Sequence, residues 1–121
     1  MVRAALVGAE RVFTSDLTLV ECARALVRAE TLLELPVAEV ARQRARLQAI
    51  TARWSLLALG ASVIERARQR FPVEPVRTLD ALHLASALIA AESLEDLTVL
   101  SLDRRVRSSA RALGLSVLPA S

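Results

Sequence analysis

The chain has no lysine and no tyrosine, and among its 121 residues there are only one cysteine, one histidine and three glycines. A single cysteine, Cys22, can build neither an internal disulfide framework nor a thiolate metal cluster, which fits a reducing compartment such as the cytoplasm. His83 stands alone, so a metal site built on several histidines is excluded. The glycines, at 8, 60 and 114, are isolated, and no glycine-rich phosphate loop or dinucleotide fingerprint can be drawn through them. No stretch free of Asp, Glu and Arg exceeds the eleven residues of Trp54 to Ile64, against the roughly 20 that a membrane span needs. No membrane is therefore expected as a partner. The first residues reach Glu10 before any long apolar run and do not read as a secretory signal.

What is present is mostly alanine, leucine and arginine, which together make up 60 residues. With 54% hydrophobic and 24% charged residues, the chain lies far from the composition of disorder, and its length suits one compact domain over 1–121. Every basic residue is an arginine, and the net charge is +3. Guanidinium forks suit phosphate recognition, but a GC-rich genome enriches alanine, leucine and arginine codons together and is the simpler cause of the excess. Nucleic acid stays open as a partner.

Periodicity divides the chain into alternating strands and helices. Val12 to Thr14 is a short β-prone run closed by Ser15 and Asp16, either of which can cap a helix. Apolar residues at 17, 19, 20, 22, 23, 26, 27 and 33 then predict an amphipathic helix to about Leu33. Pro36 fits the first position of a second helix that runs to about Arg53, with Val37, Val40, Ala41, Leu47 and Ile50 inward and Arg42, Arg46 and Arg53 outward. Trp54 to Leu59 reads as a buried strand, 61–70 as a helix, and the proline-marked segment 72–77 as a loop. Thr78 is placed to cap a helix to about Glu92, Leu97 to Leu102 is an apolar strand, 103–113 a helix ended by Gly114, and 115–118 a last strand. Short apolar strands alternating with helices indicate an α/β fold with a parallel sheet, whose sites form at the carboxyl ends of strands.

Three acids stand near those ends. Helix 78–92 is apolar from Leu79 to Ala91 except at Asp80, His83 and Ser86, and a buried carboxylate is costly unless it is paired, hydrogen-bonded or metal-bound. Asp80 either lines a cleft or serves the helix start. His83 reads as a packing histidine. Asp103 follows an apolar strand, where it is either a ligand or an ordinary N-cap. Glu21 can pair with Arg24 or Arg28 on its own helix face. Taken together, three carboxylates with no cysteine or histidine cluster suit a hard cation such as Mg²⁺ or Mn²⁺.

At these residues the sequence resembles a PIN domain, specifically the VapC-type toxin ribonucleases of type II toxin–antitoxin systems. Thr14-Ser-Asp-Leu-Thr-Leu-Val-Glu21 is similar to the family's strand running into a helix with its Glu. Leu79-Asp-Ala-Leu-His-Leu-Ala-Ser-Ala87 is the most specific match. Val99-Leu-Ser-Leu-Asp-Arg-Arg105 and Ala112-Leu-Gly-Leu-Ser-Val-Leu118 resemble the closing strand, acid, helix and strand, so the likeness covers essentially the whole chain.

The resemblance implies a three-layer α/β/α PIN-like fold with a short parallel sheet. It implies an endoribonuclease in which Glu21, Asp80 and Asp103 form the acidic metal site for Mg²⁺ or Mn²⁺, with Ser101 beside it and Arg104 meeting the RNA backbone. It also implies a small cognate antitoxin clamped by helices 17–33 and 36–53, and a homodimer. Family members open with an apolar strand ending in Asp followed by Ser or Thr, and no segment here matches it. The expectation is therefore a PIN-like domain lacking its N-terminal central strand and one of the usual four carboxylates. The alternatives are a catalytically inactive PIN-like domain that binds an antitoxin or a partner toxin, and a nucleic-acid-binding domain using Arg42, Arg46 and Arg53.

Overall fold

A computed structural model describes residues 2–120. Chain contacts divide it into two compact units, one formed by residues 11–58 and the other by 1–10 with 59–121.

In the first unit, β1 (Phe13–Ser15) leads directly into α2 (Asp16–Thr31), followed by α3 (Val37–Thr51) and β2 (Ser55–Leu57), the helix α1 (Val2–Gly8) belonging to the other unit. The sequence reason for the turn into α2 is Ser15, whose Oγ accepts a hydrogen bond from the Leu17 amide at 3.1 Å and satisfies a helix-start donor that has no partner within the helix. Of the two caps the sequence allows, the serine is used. Parallel strands need a long crossover, and α2 and α3 supply it: β1 and β2 pair in parallel with Phe13 opposite Ser55 and Ser15 opposite Leu57.

Pro36 is the N-cap of α3 rather than its first helical residue; it holds extended dihedrals and its carbonyl accepts from the Val40 amide at 3.0 Å. The inward face of α3 also differs from expectation. Val40 is fully buried and Leu47 half-buried, but Val37 and Ile50 are 67% and 46% exposed and Ala41 is exposed as well. The covered stripe runs through Val40, Gln43, Leu47 and Thr51, at spacings of three and four residues. Its polar members are satisfied within the helix, Gln43 donating to Glu39 and the Thr51 hydroxyl to the Leu47 carbonyl. With α2 as the helix packed on it, α3 covers a narrow stripe and leaves its flanks open.

The second unit contains α4 (Ala61–Ala67), α5 (Thr78–Ala91), β3 (Thr98–Leu100), α6 (Arg104–Ala112) and β4 (Ser116–Leu118). Its core is Phe71, Ala81, Leu84 and Ala110, with Leu88, Val99, Val106, Leu113 and Val117 packed around them. The loop 71–76 folds around Glu74, whose carboxylate accepts from the amides of Phe71 and Val76, both at 2.7 Å. Strands β3 and β4 are parallel, with α6 as their crossover. α6 ends on Gly114 at φ +84, where a side chain would be strained, and α2 ends through Leu33 at φ +55 without that relief.

The α/β reading and the parallel pairing hold, with six helices among the described residues and the strands in two two-stranded sheets. Each strand is three residues long; β2, β3 and β4 are shorter than their apolar runs, and β1 lies one residue beyond its own. Leu102, expected at the end of a buried strand, is 73% exposed, and Leu56 within Trp54 to Leu59 is 47% exposed. Apolar runs mark where a strand lies but not how far its ladder extends, because pairing stops where the partner strand ends.

Candidate functional site

Helix α5 begins one residue earlier than its sequence suggests. Thr78 is its first residue, and the N-cap is Arg77, which makes no side-chain cap bond. The Arg77 side chain is occupied elsewhere. Its Nε lies 3.0 Å from Asp80 Oδ2 and its Nη2 lies 3.6 Å from Asp103 Oδ2, so a single guanidinium bridges acids from two different elements. Asp80 therefore finds its outlet in a cation, with 19% of its side chain exposed against 62% for Arg77. The other polar residues of α5 are also accommodated: the Ser86 hydroxyl donates to the Leu82 carbonyl at 2.8 Å, and His83 is half-buried.

Asp103 is the N-cap of α6, and its Oδ1 accepts from the amides of Arg105 at 2.8 Å and Val106 at 3.1 Å. The cap reading is correct, and it coexists with the contact to Arg77. The Val106 amide above all, then the Arg105 amide and the positive charges of Arg77 and Arg105, hold the Asp103 carboxyl below its ordinary value. Ser101 accepts from the Asp103 amide at 3.1 Å through its Oγ, which fixes the turn between β3 and α6. Arg104, the first residue of α6, is exposed. Glu21 stands in the second turn of α2, half-buried, in the other compact unit. Among the described residues no three His, Cys, Asp or Glu side chains form a metal-holding group.

Two residues important to this edge escape a reading of the sequence. Arg77 is the first. Its signal is its position three residues before Asp80, the spacing at which helix-start ion pairs form. The second is Arg107, which is 8% exposed. Its guanidinium donates to the Ser101 carbonyl at 2.8 Å and the Pro119 carbonyl at 2.6 Å, so it ties the chain beyond β3 to the chain beyond β4. Among Arg104, Arg105 and Arg107, only the last stands three and six residues before the inward Ala110 and Leu113.

The pair Asp80–Asp103 offers hard carboxylate oxygens to one shared cation, and a guanidinium already stands in for it. That donor chemistry suits Mg²⁺ or Mn²⁺. Parallel β–α units with short strands define an α/β protein. The PIN domain family model matches residues 1–112, and the chain belongs to that family. PIN domains are generally metal-dependent nucleases acting on nucleic acid. No curated protein and no solved structure matches the chain. No helix among the described residues is long and apolar enough to cross a membrane.

Proposed function

We propose that this PIN domain is a VapC-type endoribonuclease toxin, with Glu21, Asp80 and Asp103 as the ligands of Mg²⁺ or Mn²⁺. The observation that carries this reading is the convergence of Asp80 and Asp103, from α5 and the β3–α6 turn, on one cation. A divalent ion bound there supplies neutralisation of the phosphodiester charge and a water of lowered pKa. The chain's own residues prepare the site. Asp103 is kept ionised by the amides at the start of α6, and Ser101 holds the turn that presents it. The exposed Arg104 is available to an RNA phosphate, to which a guanidinium can make two bonds at once.

The same reading takes residues 1–121 as one PIN-like domain working in the cytoplasm. It places a small antitoxin along α2 and α3. The exposed Val20 and Val27 of α2, and Val37 and Ile50 of α3, support an apolar partner helix there, and a homodimer is the other assembly the reading carries.

The test is cleavage of single-stranded RNA by this chain. Cleavage is expected with Mg²⁺ or Mn²⁺, and chelation or Asp80→Asn abolishes it; an unchanged rate in the variant overturns the assignment. A second reading, an inactive PIN-like domain that only binds an antitoxin or partner toxin, is favoured by the occupation of both acids by Arg77. Its signature is tight partner binding without calorimetric Mn²⁺ affinity.

A further inference from the structure

We infer that Arg77 is the resident counter-cation of the Asp80–Asp103 pair, which a divalent ion must displace to enter. The inference rests on the metal reading above and concerns how the site is kept closed to metal. Its geometric basis is the bridge itself: two nitrogens of one guanidinium reach Oδ2 of both acids, at 3.0 and 3.6 Å, across the side on which the carboxylates converge.

The two occupants compete for the same oxygens, Oδ2 of Asp80 and Oδ2 of Asp103. At these two acids alone, one guanidinium leaves one negative charge and a divalent ion in its place leaves none, and a divalent ion entering beside the guanidinium works against the repulsion between the two cations. The pair therefore opens to metal by exchange.

The structure makes that exchange easy for Arg77 and hard for the acids. Arg77 is the N-cap of α5, its side chain is 62% exposed, and its contacts to the acids are solvent-facing ion pairs of the weak kind. Rotation about its side-chain bonds frees the site without moving α5. Asp103, by contrast, is fixed by its two cap bonds, and Asp80 is largely covered. Ligands that stay and a plug that leaves give a site whose metal affinity is set by competition with one side chain.

The experiment is Mn²⁺ binding to the full chain, read by the loss of the free-ion electron paramagnetic resonance signal and by calorimetry at fixed pH and salt. Arg77→Gln is expected to bind Mn²⁺ roughly tenfold more tightly than the unaltered protein, the size set by removing a unit charge a few ångströms from a divalent ion in water. Arg77→Lys, which keeps the charge but loses the two-nitrogen fork, is expected to fall between them and keeps the test open should Arg77→Gln fold poorly. Adding Asp80→Asn to Arg77→Gln removes the gain. Arg105→Gln removes an equal charge that acts on Asp103 through space, and its gain is expected to be clearly smaller. Affinity in Arg77→Gln equal to or below that of the unaltered chain, or an Arg105→Gln gain of the same size, overturns the role of Arg77 and leaves the metal reading standing. Absence of Mn²⁺ binding from every form, Arg77→Gln included, overturns both.

Discussion

The two compact units are built from similar parts and packed to different depths. Each holds one pair of three-residue parallel strands joined by helical crossovers, and each crossover starts at a side-chain cap, Ser15 for α2 and Asp103 for α6. Residues 59–120 bury Val63, Phe71, Ala81, Leu84, Ala85, Ala90 and Ala110, whereas in 11–58 the fully buried residues are Val40 and Ser15. Composition does not explain this, because α2 carries a full amphipathic pattern and yet buries none of its residues completely. The difference lies in cover. α5 packs against both α4 and α6, while α2 and α3 have each other. An apolar stripe buries only as much as its neighbours can reach.

The sharpest way to break this contrast is at Leu84, which is 1% exposed. Leu84→Ala is expected to cost about 3–5 kcal/mol in urea unfolding. A loss below about 1 kcal/mol would show that α5 is not the core helix. Leu33 tests the sparser unit from the other side. Its φ of +55 and 88% exposure mean that its side chain contributes little while its backbone is strained. Leu33→Gly is therefore expected to stabilise by about 0.5–1 kcal/mol, bringing the end of α2 to the form α6 already has at Gly114. Val20, 57% exposed on α2, gives a smaller effect: Val20→Ser should move stability by no more than about 0.5 kcal/mol in the free protein. A larger loss would mean that α2 is covered in solution.

The smallest expected effect is present at neutral pH and disappears in acid. Asp103 titrates below its ordinary value of 3.8 in the folded chain, so its ionised form favours folding. That contribution is fully present above the unfolded value and is lost as pH falls through the folded one. Asp103→Asn should accordingly differ from the unaltered protein at neutral pH and converge with it only as pH falls below 3.8, in chemical denaturation. Curves that stay apart in acid would contradict the cap geometry.

Much of the architecture is legible in the residues themselves. The apolar run around Asp80, His83 and Ser86 marks α5, and the Ser15 and Gly114 signals mark the start of α2 and the end of α6. Boundaries are less legible. Thr78 looks like a cap, but the helix starts from Arg77, whose side chain serves two acids instead. The face of α3 is misjudged because Gln43 and Thr51, polar by type, lie on the covered stripe once their bonds are made inside the helix. At the candidate site, Asp80 stands out by the apolar helix around it and Asp103 by its place after an apolar strand, but their pairing through Arg77 is tertiary and leaves no local pattern. Arg107 is hidden for the same reason, as one arginine in a run of three within four residues.

Arg107 has a consequence for how β3 and β4 are fastened. The clasp it makes between the Ser101 and Pro119 carbonyls depends on a guanidinium that is almost wholly enclosed. A lysine there would offer a single nitrogen, whereas the planar fork reaches the two carbonyls with two separate nitrogens at once. The fastening of β3 to β4 thus depends on the shape of one side chain.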